Sequence, residues 1–182
     1  MKHLILIAVV SLFVISCKSP EARLPETVSS GSFIKESVER NKKLNEKEHK
    51  IIKGIISENP QNDYIASESG FWYHYNNKLE NDTIMASFGD VLNFDYDVKD
   101  FNGHTIYSKV ELGNQIYAMD QEELFTGLRE GLKLMKPSET VTFLFPSQKA
   151  YGYYGDTKKI GTSVPLICEV TLNSITPNKN DE

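Results

Sequence analysis

The residue types that usually carry enzymatic chemistry are scattered in this chain, whereas a group of tyrosines is not. The four histidines, His3, His49, His74 and His104, lack the spacing of a metal-ligand set, and no G-x-S-x-G, H-E-x-x-H or phosphate-loop motif occurs. Asp95 and Asp97 alternate with apolar residues along a strand, which predicts a solvated face for them. What remains is a glycine-rich aromatic loop, Ala150-Tyr151-Gly152-Tyr153-Tyr154-Gly155, set between two apolar stretches, and Tyr96 on the apolar side of the Val91–Val98 alternation. Phenols can donate hydrogen bonds without changing charge near neutral pH. By pattern alone, Tyr96, Leu128 and Ile160 also read as plain core, and the loop tyrosines as loop packing.

The hydropathy pattern provides the elements that must position them. Glu68-Ser69-Gly70-Phe71-Trp72-Tyr73-His74-Tyr75 reads as a turn entering an aromatic strand, Asn81-Asp82 as a turn, and Phe88-Gly89-Asp90 as the opening of the next strand. Leu92, Phe94, Tyr96 and Val98 share one face of that strand, the period-two signature of a half-buried antiparallel strand. Asn102-Gly103 signals a hairpin with a return through Ile106 and Tyr107. Asp120 to Glu123 has the capping-box form and predicts a helix with Leu124, Phe125, Leu128, Leu132 and Met135 on its apolar side. Gly127 and Gly131 inside it each cost about 1 kcal/mol against alanine, so a close approach of helix to sheet is expected. Lys136-Pro137 ends the helix. Thr140–Phe145 alternates again with Val141, Phe143 and Phe145 inward, and Val164–Ile175 closes the sheet. The expectation is an α+β domain over residues 61–176, an antiparallel sheet wrapped around one short helix, with a polar tail at 177–182.

Upstream, residues 33–60 read as helical. Asn45-Glu46-Lys47-Glu48 has the form of a helix start, Ile51, Ile52, Ile55 and Ile56 make a one-sided stripe, and Asn59-Pro60 is a stop. The stripe suits packing against the neighbouring domain; a homodimerisation arm is the sharper reading. His49 falls on the charged side and is expected in solvent. Residues 17–32, rich in Pro, Ser, Glu and Gly, read as a flexible tether. The first sixteen residues read as a targeting segment: Lys2, an apolar run Leu4–Val14 too short to span a bilayer, then Val14-Ile15-Ser16-Cys17, which resembles a bacterial lipobox with Cys17 as the acylated residue. An ordinary secretory signal with a coincidental cysteine is the other reading. With Cys17 acylated, Cys168 has no partner and no disulfide is expected. Composition fits a globular protein, with 40% hydrophobic and 25% charged residues, and a net charge of −5 argues against nucleic acid as a partner.

Four motifs then fall in one order: Gly89-Asp90, the strand ending at Tyr96, the helix G-L-x-E-G-L-x-x-M at Gly127–Met135, and the Ala150-Tyr151-Gly152 loop followed by Ile160. Across residues 64–176 this resembles the FK506-binding-protein (FKBP-type) peptidyl-prolyl isomerase family. The resemblance implies a pocket in which Tyr96 and Tyr151 are the catalytic tyrosines, with Ile106, Tyr107, Leu124, Phe125, Leu128, Ile160 and Cys168 at the substrate-binding positions. The chain departs from the family pattern at several of them. Ile106-Tyr107 stands where the family has Phe-Asp, Leu128 where many members have tryptophan, and Cys168 replaces an aromatic. No clear aromatic occurs near Gln115 and Ile116.

The resemblance also implies the mechanism and the partners. Rotation about an X-Pro bond has a barrier of about 20 kcal/mol because of partial double-bond character. An apolar pocket that desolvates the planar amide and fits the twisted one lowers it without cofactor or metal. The expected function is isomerisation of proline-containing segments in exported proteins, by an enzyme tethered to the lipid bilayer through Cys17 and facing the periplasm. Lipobox and helical segment together make the chain similar to gliding-motility-associated lipoproteins of this family. The alternative is a non-catalytic FKBP-fold chaperone or binding module of the envelope.

Overall fold

A computed structural model describes residues 30–80 and 84–178. Cys17, most of the expected tether, the expected turn at Asn81-Asp82 and the last four residues of the tail lie outside the described residues. The chain divides into two units, Met1–Ser37 and Val38–Glu182. Of the first, the described part is the opening of a helix with Phe33 and Ile34 exposed.

That helix, α1, runs unbroken from Ser30 to Glu58. It therefore begins inside the stretch expected to be tether, and Asn45 is not a helix start. Asn45 sits mid-helix and sends its side-chain Nδ2 to Gln148 Oε1 at 3.2 Å. The helix ends where expected, with Asn59 Nδ2 donating to the Ile55 carbonyl at 2.8 Å just before Pro60. The isoleucine stripe is narrower than its spacing implied. Ile52 is fully buried, Ile51 is 40% exposed, and Ile55 and Ile56 are half-buried. The packed face runs instead through Leu44, Glu48 and Ile52 at fourfold spacing, with a carboxylate in its middle. Glu48 is 2% exposed; its Oε2 accepts the Ser147 N–H at 2.9 Å, and its Oε1 is buried without a partner among the described residues. His49 is not in solvent: it is half-buried, its ring edge-on to Trp72 at 5.0 Å. No described helix is long and apolar enough to cross a membrane.

The described residues form one antiparallel sheet of eight strands. These are β1 (Ile65–Ala66), β2 (Trp72–Asn77), β3 (Val91–Tyr96), β4 (Val98–Asp100), β5 (Thr105–Tyr107), β6 (Gln115–Ala118), β7 (Thr140–Phe145) and β8 (Leu166–Thr176). The main path runs β1-β2-β7-β8-β3-β6, and β4 pairs with both β5 and β8. Register puts Tyr73, Phe143 and Cys168 in one inner row and Val141, Val170 and Tyr96 in the next. Leu144, on the opposite face from Phe143 and Phe145, is fully buried as well; it pairs with Trp72, whose ring meets His49 of α1. A one-turn helix, α2 (Lys109–Leu112), is capped by Ser108.

The short helix in the sheet's concavity, α3, spans Thr126–Leu132. It starts later than its capping-box form implied, because Asp120 takes a left-handed conformation at φ 59° and cannot cap. Its carboxylate reaches Lys133 at 3.0 Å instead. The expected close approach is present. A Cβ on Gly127 would lie 2.5 Å from Phe145 Cδ1 and 2.6 Å from the Lys149 carbonyl, and one on Gly131 would lie 2.8 Å from Phe143 Cε1. On the outer face, Asp97 is not simply solvated. It is 14% exposed, pairs with Lys99 at 2.9 Å, and bridges to the Glu169 N–H at the break between β3 and β4.

Candidate functional site

The loop joining β7 to β8 carries most of the site, and its shape comes from short-range hydrogen bonds. A 3-10 turn at Ser147–Lys149 launches it, and the Ser147 carbonyl accepts the Gly152 N–H at 2.9 Å. Gly152 and Gly155 sit at φ 61° and 67°, where glycine is favoured. At Gly155 a Cβ would lie 2.1 Å from the Ile160 carbonyl. Asp156 holds the far end: Oδ1 accepts the N–H groups of Lys158 and Ile160, each at 2.8 Å. Its Oδ2 accepts the Tyr107 hydroxyl at 2.5 Å.

The turns leave a hollow of about 280 Å³ walled by Tyr96, Val98, Tyr107, Leu112, Tyr151 and Asp156, with Lys158 at its margin. A second hollow of about 510 Å³ shares the Tyr151 ring and is lined by Leu124 and Phe125, with Glu122, Glu123 and Arg129 as its polar margin. The Phe125 ring centroid stands 5.1 Å from that of Tyr151 and 5.4 Å from that of Phe145, which ties the two hollows to the core.

Of the nine residues expected at the site, the structure brings Tyr96, Tyr107 and Tyr151 to the first hollow and Leu124, Phe125 and Tyr151 to the second. Leu128, Ile160 and Cys168 belong to the buried core cluster, at 0%, 3% and 0% exposure, so they support the walls and do not line them. Ile106 is half-buried against that cluster, and its carbonyl accepts Lys159 Nζ at 3.3 Å. Asp156 was missed by sequence reasoning. It places a carboxylate against Tyr107, at the family's Phe-Asp position, from a different stretch of chain. Its signal was local: an aspartate two and four residues ahead of the N–H groups it accepts, just after a glycine. Tyr117, 4% exposed, provides the buried aromatic beside Gln115 and Ile116.

Electrostatics keep the tyrosines neutral. Burial, with smaller contributions from Tyr151, Cys168 and Tyr107, pushes the Tyr96 hydroxyl well above its ordinary value. Burial, then the nearby Asp156 charge, pushes Tyr151 up to about 12. Tyr107 is raised first by its hydrogen bond to Asp156 and then by burial. For Asp156, burial acts upward, but hydrogen bonds from Tyr107 and the N–H groups of Ile160, Lys158 and Lys159 outweigh it and hold the carboxyl below its ordinary value. Burial raises the Cys168 thiol, which makes it unreactive. Among the described residues, neither the Tyr96 nor the Tyr151 hydroxyl has a hydrogen-bond partner, whereas Tyr107 is committed to Asp156. No group of three or more described His, Cys, Asp or Glu residues could hold a metal ion.

The arrangement is an apolar-floored hollow with two neutral phenol donors free to meet a carbonyl, and known proteins share the frame around it. A curated relative from Haemophilus influenzae, described as a probable FKBP-type peptidyl-prolyl cis-trans isomerase, is 28% identical over 116 residues. That match covers 63% of this chain and 46% of the relative, so the chain spans about half the relative's length. A crystal structure of a peptidyl-prolyl cis-trans isomerase from Pseudomonas syringae superposes with a TM-score of 0.60 at 17% identity, covering 75% of this chain and 96% of that one. FkpA from Escherichia coli also superposes at 0.60, with 18% identity over 97% of this chain and 83% of its own. These two likenesses establish the fold. The family model described as FKBP-type peptidyl-prolyl cis-trans isomerase matches residues 82–173, half of the chain and all of the loop and strands that build the hollow, and the chain belongs to that family.

Proposed function

We propose that the protein is a peptidyl-prolyl cis-trans isomerase acting on proline-containing segments of exported proteins. The observation that carries this is the pair of neutral, unpartnered hydroxyls of Tyr96 and Tyr151 facing one hollow over a buried apolar floor. A proline ring entering it loses the water that stabilises the planar, charge-separated amide, and the hydroxyls then hold a carbonyl of the twisting chain. Tyr107 and Asp156 have a different task. Their mutual hydrogen bond anchors the loop, so the donor geometry is set before the substrate arrives. The Leu124–Phe125 wall on the other side of Tyr151 suits an apolar residue flanking the proline.

The deciding experiment is a protease-coupled proline isomerisation assay on residues 18–182. Acceleration of cis-to-trans conversion is expected, and a rate equal to the uncatalysed one overturns the proposal. Suppression of client aggregation at that uncatalysed rate identifies a non-catalytic binding module instead. The cellular setting is part of the same proposal: the lipobox-like Val14-Ile15-Ser16-Cys17 supports anchoring to the envelope through acylated Cys17. Labelled fatty acid should enter the full chain and be lost in Cys17→Ser; equal labelling of both excludes that anchor.

A further inference from the structure

A third hollow, of about 140 Å³, lies between α1 and the Tyr151 loop. Asn41, Leu44 and Asn45 form its helix side, and Gln148, Gly152 and Tyr153 are among the loop residues opposite. Three features of it are unusual for a seam between a helix and a loop. The residues that line it carry no charge, although α1 is rich in lysine and glutamate. Its aromatic wall, Tyr153, is 67% exposed and braced edge-on by Tyr154 at 5.4 Å, so the ring stands in solvent and is not part of the packed core. Its floor at Gly152 is bare: nothing lies within 4 Å of where a Cβ would be. Gly152 directly follows Tyr151, so this open floor begins about 3.8 Å of backbone away from the residue that two other hollows share.

The walls are held in place before any ligand binds. Glu48 Oε2 accepts the Ser147 N–H at 2.9 Å, Asn45 Nδ2 reaches Gln148 Oε1 at 3.2 Å, and the Ser163 N–H donates to the Gly152 carbonyl at 2.8 Å. A preformed groove pays little ordering cost on binding. Side-chain amides both donate and accept, so after the Asn45–Gln148 bond each retains capacity for a further partner. Amides matched to amides are what an extended peptide backbone offers, and Leu44 with Tyr153 can receive one uncharged side chain.

We propose that this groove is a subsite for the client polypeptide itself, engaging extended, uncharged chain about two to four residues from the proline. It rests on the isomerase reading given above and adds to it a substrate class: unfolded chain that continues past the proline, in preference to a short peptide. Backbone amides engage Asn41, Asn45 and Gln148, and an apolar or aromatic side chain lies against Tyr153. The helix that precedes the residues matched by the family model thereby becomes part of the substrate surface.

The test uses residues 18–182 and two labelled probes sharing one X-Pro centre, a tetrapeptide and a peptide of about twelve residues, roughly 40 Å when extended. Fluorescence anisotropy of the wild type should show the longer probe binding about tenfold more tightly, the scale of one good aromatic contact with accompanying hydrogen bonds. Asn41→Trp, which fills the groove from an exposed helix position, and Tyr153→Ala, which removes its exposed wall, should each erase that advantage and leave tetrapeptide affinity in place. Equal affinity for the two probes overturns the inference, as does an advantage that survives both variants or a loss that falls on both probes alike. A longer probe that binds through the groove while the tetrapeptide does not bind at all supports the groove and counts against the isomerase reading. Binding of neither probe refutes both.

Discussion

Asp156 collects the Tyr107 hydroxyl and the N–H groups of Lys158 and Ile160, and through them it connects the β5 hairpin, the loop and the core. Its lowered pKa means that this stabilisation is present above the ordinary carboxylate value of 3.8 and is lost as pH falls below it. Tyr151 has the opposite sign. Burial pushes its hydroxyl up to about 12 against the ordinary 10.0, so its contribution is complete below pH 10 and disappears as pH climbs toward 12. Between those limits both phenols remain donors, and isomerase activity should be flat from about pH 6 to 9. Tyr151→Phe should lower kcat/KM by about two- to tenfold, the net worth of one hydrogen bond, and should make the alkaline loss of stability shallower in urea titrations. An unchanged kcat/KM would remove Tyr151 from the donor role. The two tyrosines were legible because a motif surrounds each of them. Asp156 was not, because its role depends on a loop folding back over about fifty residues to meet Tyr107, and only the single position 107 was there to be read.

The element scale is governed by how closely α3 lies on β7. Placing alanine at position 127 would normally gain about 1 kcal/mol of helix propensity. Here the new methyl would meet the Phe145 ring at 2.5 Å and the Lys149 carbonyl at 2.6 Å, and the backbone atom cannot swing aside. Gly127→Ala should therefore destabilise by about 1–3 kcal/mol in urea unfolding, reversing the propensity sign. Because Lys149 belongs to the turn that launches the Tyr151 loop, activity should fall with it; a stabilised variant would contradict this packing. The two glycines announced this contact in the sequence, as the period-two strands announced their faces. The helix starts later than the D-x-x-E form implies, for an identifiable reason. D-x-x-E caps only if the aspartate precedes the helix directly, and here Asp120 turns left-handed while Phe125 takes the cap position ahead of Thr126.

For the larger unit, Val38–Glu182, the decisive feature is that α1 is packed and not appended. The apolar spacing marks the isoleucines, but the docking face carries Glu48 between Leu44 and Ile52, and a charge in an apolar row hides it from hydropathy. Ile52 is fully buried, so Ile52→Ala should cost about 2–5 kcal/mol and shift one cooperative unfolding transition. A cost under about 0.5 kcal/mol would mean the helix is held by something else.

The strand order has a further consequence, for the time at which this chain can fold. β1 and β2 come early in the sequence, but their path into the sheet runs through β7 and then β8. Glu48 likewise waits for Ser147, ninety-nine residues later. A chain emerging from its N-terminus would therefore present Trp72, Tyr73 and the Ile52 face without partners until β7 and β8 follow. Pairings of such long sequence separation fold slowly, because loop-closure entropy is lost before any contact repays it. During that interval the young protein is an unfolded polypeptide with exposed aromatics and prolines still in exchange, a member of the class of client it is proposed to serve.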